Sequence, residues 1–455
     1  MRMFDTPQPL GSYLNVPLDC PCGRTHYAPI RAVEVGAGKI GTLPAHIRAL
    51  GCKRPYMICD DVTWQVAGEK CANLLRDAGI ECHSRVLRHT AFDEATLGEI
   101  AAHMPDGCDV MIGCGTGSIT DMLRFSSFKL GLPCITVATG APMDGFAASI
   151  GVLQLDGLKT TLPAHASAVI IGDTDILVTA PKRMSAAGFG DLAGKISCLN
   201  DWRLAQIITG EHRCERIDAL VRTSMDGVMS RAAELGKNDA GAVGELMDAL
   251  VLSGVAISLY GDSRPASGAE HHFSHYLEQL GQARGHDYAM HGEQVAVGTV
   301  LMLELAHLLA AHTVDFDRAR AAARSYSHTD WCEQMRSAYG QAAPEVIALE
   351  ESAHKNDIQP RLVRIDAAEQ KWDEVCALLD ELPTAEWLAG KLSEAGCPSS
   401  PAQIGLDADT LCTALVCAKE MRARYTLLQL LWDLDCLEEL ARAVTNKLKA
   451  AGKVL

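Results

Sequence analysis

Between residues 31 and 140 the chain alternates two patterns, and that alternation constrains the fold more than any other feature. Short apolar runs occur at AVEVG (32–36), YMICD (56–60), CHSRVL (82–87), CDVMIGCG (108–115) and CITVAT (134–139). Between them lie helical stretches: KIGTLPAHIRALG, WQVAGEKCANLLRDAG, ATLGEIAAHM and SITDMLRFSSFKLG. Strands buried on both faces read as continuous apolar runs, and parallel strands need a crossover such as a helix. The pattern therefore predicts βαβ units, a parallel sheet with helices on both faces. QLDGLKTTLPAH reads as a hairpin-like excursion and AVIIGD (168–173) as a last strand. Beyond about residue 180 the apolar spacing changes to three and four and continues so to the end, the period of helices. The expectation is a Rossmann-like α/β domain over 1–178 and an all-α domain over 179–455. With 455 residues, 48% of them hydrophobic, each can bury its own core.

The junction VMIGCGTGSITD ends a buried strand in Gly113, Gly115 and Gly117 and starts a helix near Ser118. Glycines allow close backbone approach to a diphosphate, and a helix N-terminus offers unpaired N–H groups and a positive dipole end. The spacing is not G-x-G-x-x-G, and a tight strand-to-helix turn would read the same way. Asp60 ends YMICD, where an acid accepts from ribose hydroxyls or caps the following helix, with Asp61 as a second candidate cap. The loop TVATGAPMDGFAASIGV carries Thr136, Thr139, Asp144 and Ser149. Ligands sit in loops at the carboxyl ends of parallel strands, which makes Asp144 a candidate contact to a polyol hydroxyl.

In the helical half, SGAEHHFSH places His271 and His275 four residues apart, on one helix face, with His272 pointing elsewhere. HGEQVAVG opens another apolar helix on His291, and GFGDLAGK puts Asp191 at a helix start. Two imidazoles and one carboxylate suit a divalent metal with open positions, although any one such histidine is more often core or surface. Arg264 lies in GDSRPASG, just ahead of the histidine helix. Its planar fork matches phosphate oxygens, with Ser267 and the more distant Lys159 as helpers; the alternative is a loop ion pair with an acid such as Asp262. CPCGRTH gathers Cys20, Cys22 and His26, but the spacing is not that of a zinc finger or ribbon, and it reads as a reduced surface loop.

A net charge of −16 argues against nucleic acid and anionic membrane as partners. The 17 cysteines are scattered, as in a reduced cytoplasmic protein. MRMFDTPQPLGSYL has no apolar core of a signal peptide, and the longest apolar runs are broken by Asp, Glu, His or Gly, so none reads as a membrane span. The tail after residue 315 reads as packing or oligomer surface, and a homo-oligomer is expected.

Taken in order, GCGTGSITD, the T-x-x-x-D-G loop ending in Asp144 and Gly145, GFGDLAGK, SRPASGAEHHFSH and HGEQVAVGT resemble the sn-glycerol-1-phosphate dehydrogenases. These are relatives of iron-containing alcohol dehydrogenases, glycerol dehydrogenase and dehydroquinate synthase. The resemblance runs from about residue 30 to 310. It implies a dehydroquinate synthase-like fold and an NAD- or NADP-linked, metal-dependent dehydrogenase interconverting dihydroxyacetone phosphate and sn-glycerol 1-phosphate. By position it implies Asp191, His271 and His291 as metal ligands, zinc first with nickel or iron as options. Asp191, His275 and Asp144 would serve catalysis and touch substrate together with Arg264. Asp60, Gly115, Thr116, Gly117, Ser118, Asp121, Thr136 and Thr139 would line the dinucleotide site. Ala148 stands where relatives usually carry a cofactor-contacting Ser. The rival activities are a dehydrogenase of unphosphorylated glycerol or another small polyol, a dehydroquinate-synthase-like lyase, and a non-catalytic nucleotide-binding protein. Asp191, where relatives of the lyase generally have Glu, speaks against the lyase.

Overall fold

The computed structural model describes residues 9–88, 93–148, 150–155, 158–286 and 288–455, with backbone alone for 150–155 and 158–163. Ser149 lies outside the described residues, as does the side chain of Lys159. The strands are β1 (Leu18–Asp19), β2 (Thr25–His26), β3 (Ala32–Gly36), β4 (Pro55–Cys59), β5 (His83–Val86), β6 (Val110–Gly115), β7 (Cys134–Ala138), β8 (Ile150–Leu155), β9 (Leu158–Pro163) and β10 (Val169–Asp173). Six of them form one parallel sheet in the order β3-β10-β7-β6-β4-β5. The β1–β2 and β8–β9 pairs are separate antiparallel hairpins; the second is the excursion expected from QLDGLKTTLPAH.

Alternate residues of the central strands face opposite sides, and both sides are buried. Met57, Ile112, Val137 and Ile171 pack with Ile47 of α1 (Leu43–Ala49) and Leu75 of α2 (Glu69–Asp77). Tyr56, Ile58 and Met111 pack with Ile100 of α3 (Glu94–Ala102) and Leu123 of α4 (Gly117–Leu130). The layering explains why these strands carry no polar alternation: neither face meets water. From β4 the chain steps outward to β5, then returns to β6 on the other side of β4. The carboxyl ends of β4 and β6 therefore flank the switch point where α/β sheets bind ligands.

After β10 come α5 (Lys182–Ala193), α6 (Lys195–Thr209), α7 (Glu215–Ser230), α8 (Ala240–Tyr260), α9 (Ala269–Arg284), α10 (His291–Ala310) and further helices from Phe316 to Ala450. The chain forms two compact units, Met1–Leu192 with Glu215–Ser263, and Ala193–Cys214 with Arg264–Leu455. Pattern and compactness thus divide the chain differently. The sequence pattern changes once, near 178, whereas α7 and α8 return to the sheet-containing unit and α6 joins the other. Among the described residues two helices, α8 and α10, are long and apolar enough to cross a membrane, yet 78% of the apolar stretch of each is buried within the protein. They are core helices, one in each unit.

Candidate functional site

The glycine junction is shaped by packing. A Cβ on Gly113 would lie 2.9 Å from Leu123 Cδ2, and one on Gly115 would lie 2.6 Å from Ile119 Cβ. Only glycine lets β6 run this close under the first turns of α4. Thr116 precedes the helix, which starts at Gly117, so Gly115 to Ser118 present the helix N-terminus at the switch point. Thr139 N donates to Gly115 O at 3.2 Å, and the fully buried Thr136 shares a 2.7 Å hydrogen bond with Ser167 Oγ. Asp121 pairs with Arg124, whose guanidinium also donates to Ala148 O. Asp60, at the end of β4, is itself the helix cap: its carboxylate accepts from Thr63 N at 2.7 Å, and its N–H donates to Thr63 Oγ1 at 2.9 Å. Asp61 does not take that place; it is the first helical residue.

Asp144 and Asp191 meet in the same unit. Asp144 N donates to Asp191 Oδ2 at 2.9 Å, while Asp144 Oδ2 accepts from Ser253 Oγ of α8 at 2.7 Å. Two glycines bring the backbones together. A Cβ on Gly188 would sit 2.0 Å from Ala141 O, and one on Gly254 would sit 2.8 Å from Asp144 O. The first glycine of GFGD is therefore fixed by the approach of α5 to the Asp144 loop. Asp191 is fully buried inside α5 rather than at a helix start.

The helical unit brings the three histidines together. Ring centroids are 6.1 Å apart for His271 and His275, 5.3 Å for His271 and His291, and 5.4 Å for His275 and His291. Each Nδ1 has an acidic partner: His271 with Glu270 Oε1 at 2.7 Å, His275 with Glu278 Oε2 at 3.2 Å, and His291 with Glu278 Oε1 at 3.0 Å. Ser274 Oγ lies 3.2 Å from His291 Nδ1. A carboxylate only accepts, so each Nδ1 carries the proton and each Nε2 keeps its lone pair, the tautomer found in metal-ligating histidines. The donor chemistry fits a divalent metal. Burial opposes the charge of Glu270, but the hydrogen bonds from His271 Nδ1 and Gly268 N hold the carboxyl below the usual carboxylate range. Burial, ahead of the opposing pull of Glu278, pushes His275 down to about 4. With its pKa lowered that far, the ring is uncharged at pH 7. His272 is fully buried.

Gly268 explains why this helix opens on S-G-A. A Cβ there would lie 2.6 Å from Asp201 Oδ2 and 2.8 Å from Cys198 Cα of α6. Asp201 Oδ2 accepts from Ala269 N at 2.7 Å, and Glu270 Oε1 from Gly268 N at 2.8 Å, so the first turn of α9 is anchored on α6. Arg264 is buried, with 1% of its surface exposed. Its Nε donates to Glu211 Oε1 at 2.8 Å and its Nη2 to Tyr425 O at 2.7 Å and Asp201 O at 3.3 Å. Sequence reasoning overlooked Glu270, Glu278 and Ser253. Glu278, three residues beyond His275, stood at a spacing that puts side chains together on a helix; Ser253 gave no local signal.

A family description, iron-containing alcohol dehydrogenase, matches residues 34–181. A glycerol-1-phosphate dehydrogenase [NAD(P)+] of Bacillus licheniformis is 31% identical over 313 residues, covering 67% of this chain and 78% of that protein. One from Geobacillus stearothermophilus is 28% identical over 445 residues, covering 95% of this chain and 100% of that protein. The crystal structure of a glycerol dehydrogenase from Schizosaccharomyces pombe is similar in fold, with a TM-score of 0.60 at 14% identity, over 94% of this chain and 92% of that one.

Proposed function

Because the chain belongs to the glycerol-1-phosphate dehydrogenase family, among the iron-containing alcohol dehydrogenases, we propose that it interconverts dihydroxyacetone phosphate and sn-glycerol 1-phosphate using NAD(P) and a bound divalent metal. The observation that carries this reading is the similarity to relatives named for the reaction over most of the chain. The side-chain arrangement supports it.

We assign Asp191, His271 and His291 as the metal ligands, zinc being the first choice because imidazole and carboxylate donors suit it. When bound, the ion supplies Lewis acidity at the substrate oxygen and the nicotinamide supplies or accepts the hydride. The protein's residues orient and restrain. Glu270 fixes the tautomer of His271, and Glu278 does so for His275 and His291. Ser253 holds Asp144, which we assign to a substrate hydroxyl. Uncharged at neutral pH, His275 accepts the alcohol proton at Nε2 in the oxidation direction, with Nδ1 kept protonated against Glu278.

For the dinucleotide we assign the crevice beside Gly115, Thr116, Gly117 and Ser118, with Asp60, Asp121, Thr136 and Thr139 around it; the packed glycines and the helix N-terminus support this. The burial and three partners of Arg264 favour a scaffolding role over direct phosphate contact. Cysteines without disulfide partners among the described residues support a reducing, cytoplasmic setting. The testing experiment is NADH and NADPH oxidation with dihydroxyacetone phosphate, with unphosphorylated dihydroxyacetone as the control. Turnover confined to the phosphorylated ketone supports the reading. Equal turnover of both returns the assignment to a general polyol dehydrogenase.

A further inference from the structure

The hairpin β1–β2 has almost no core of its own. It pairs Leu18 with His26 and Asp19 with Thr25, and two-residue strands are not stable alone. Its turn is CPCG. Cys20 N donates to Arg24 O at 3.2 Å, Gly23 N donates to Cys20 O at 3.1 Å, and Gly23 has φ +86°, a left-handed conformation suited to glycine. The turn folds Cys22 back towards His26, with Sγ 3.3 Å from Nε2. One donor atom from each of Cys20, Cys22 and His26 lies within 4.8 Å of the others. The edges of a zinc tetrahedron with sulfur and nitrogen donors are about 3.5–3.8 Å, so modest side-chain rotation closes the gap.

His26 is nearly fully buried, 1% exposed, and its Nδ1 lies 2.9 Å from Leu259 O, near the carboxyl end of α8. A carbonyl only accepts, so Nδ1 carries the proton and the Nε2 lone pair points towards Cys22. That is the anchored tautomer of a ligating histidine. Beside it the Arg24 guanidinium stands 5.4 Å from the Tyr260 ring centroid. We infer that Cys20, Cys22 and His26 bind a zinc-class ion that fastens the N-terminal hairpin to the end of α8, the helix whose Ser253 holds Asp144. Two thiolates and an imidazole select zinc over harder cations, and water or one further donor completes the tetrahedron. Binding releases the two thiol protons. The proposal adds a ligand role to the reduced loop expected from the sequence.

The test is cobalt(II) titration of the metal-stripped full chain. Thiolate-to-cobalt charge transfer absorbs in the near ultraviolet and requires sulfur ligands, which the proposed Asp191, His271 and His291 set lacks. The expected result is one equivalent producing this band in wild type and in His291→Ala, with the band lost in Cys20→Ser and Cys22→Ser. Absence of the band in wild type overturns the inference whatever the folding of the variants. So does a band of equal strength in the serine variants, or one lost in His291→Ala. Loss of turnover in His291→Ala with the band retained separates this site from the proposed catalytic one.

Discussion

The backbone N–H of Asp144 donates to the carboxylate of Asp191 at 2.9 Å. One residue follows the β7 strand and the other lies in α5, and both were singled out in the sequence for different roles, substrate hydroxyl and metal. The bond fixes the loop against the carboxylate. The Asp144 side chain is left to Ser253, whose hydroxyl donates at 2.7 Å.

Ser253→Ala should therefore act on the position of Asp144 more than on the fold. Loss of one neutral-to-charged hydrogen bond is worth about 1.5–3 kcal/mol, or about ten- to a hundredfold in kcat/KM for the ketone. KM for NAD(P)H should stay within about twofold of wild type. Steady-state kinetics with each substrate varied in turn check this; a parallel rise in both KM values would mean that Ser253 supports the unit as a whole.

Asp60 caps its helix through Thr63 and ends β4 at the switch point, where the proposed dinucleotide would place a ribose. Asp60→Asn keeps a good cap and removes the charge. If that carboxylate repels a 2′-phosphate, the ratio of kcat/KM for NADPH over NADH should rise about tenfold. An unchanged ratio would leave Asp60 with the capping role alone.

Arg264→Ala should lower kcat/KM equally for dihydroxyacetone phosphate and dihydroxyacetone and reduce Tm, because the guanidinium ties Glu211 to the carbonyls of Asp201 and Tyr425. A loss confined to the phosphorylated substrate would instead make Arg264 a phosphate contact.

A buried ion network is centred on Glu420, in the 418–421 turn that packs against α9. Glu420 receives Lys355 at 2.8 Å, Lys419, Trp331 Nε1 at 2.9 Å and Asn356 Nδ2 at 3.0 Å. Burial opposes its charge, but Lys355 and Lys419 bring the carboxyl down to about 2. A folded pKa below the unfolded value of 4.5 means stability that is present above pH 4.5 and lost as pH falls towards 2. Glu420→Gln leaves two buried ammonium groups uncompensated and should cost on the order of 3–5 kcal/mol near neutrality. Thermal unfolding across pH should show the gap to wild type narrowing between 4.5 and 2; a constant gap would contradict the assignment of the proton to Glu420.

The sheet was legible because strands buried on both faces leave unbroken apolar runs, as in VMIGC, and Gly115 marked the turn because Ile119 leaves no space for a Cβ. The grouping of His271, His275 and His291 followed from helix spacing and motif. The interleaved units were not legible: α8 joins the sheet-containing unit through Gly254 against the Asp144 loop, a contact with no local signature. Nor was the anchoring of Arg264 by Glu211, 53 residues away. The Cys20, Cys22 and His26 cluster was visible as a motif, but only the turn at Gly23 and the Leu259 carbonyl show that its donors converge.

The proposed function requires a metal held through His291 for reduction of dihydroxyacetone phosphate. The most direct measurement is NAD(P)H consumption by metal-stripped and zinc-reconstituted wild type and by His291→Ala, with chiral analysis of the product. The expected result is turnover restored by metal in wild type only, yielding sn-glycerol 1-phosphate, and a drop of at least about a thousandfold in a folded His291→Ala protein, roughly 4 kcal/mol of transition-state stabilisation. Full activity in the metal-stripped protein or in His291→Ala would contradict it.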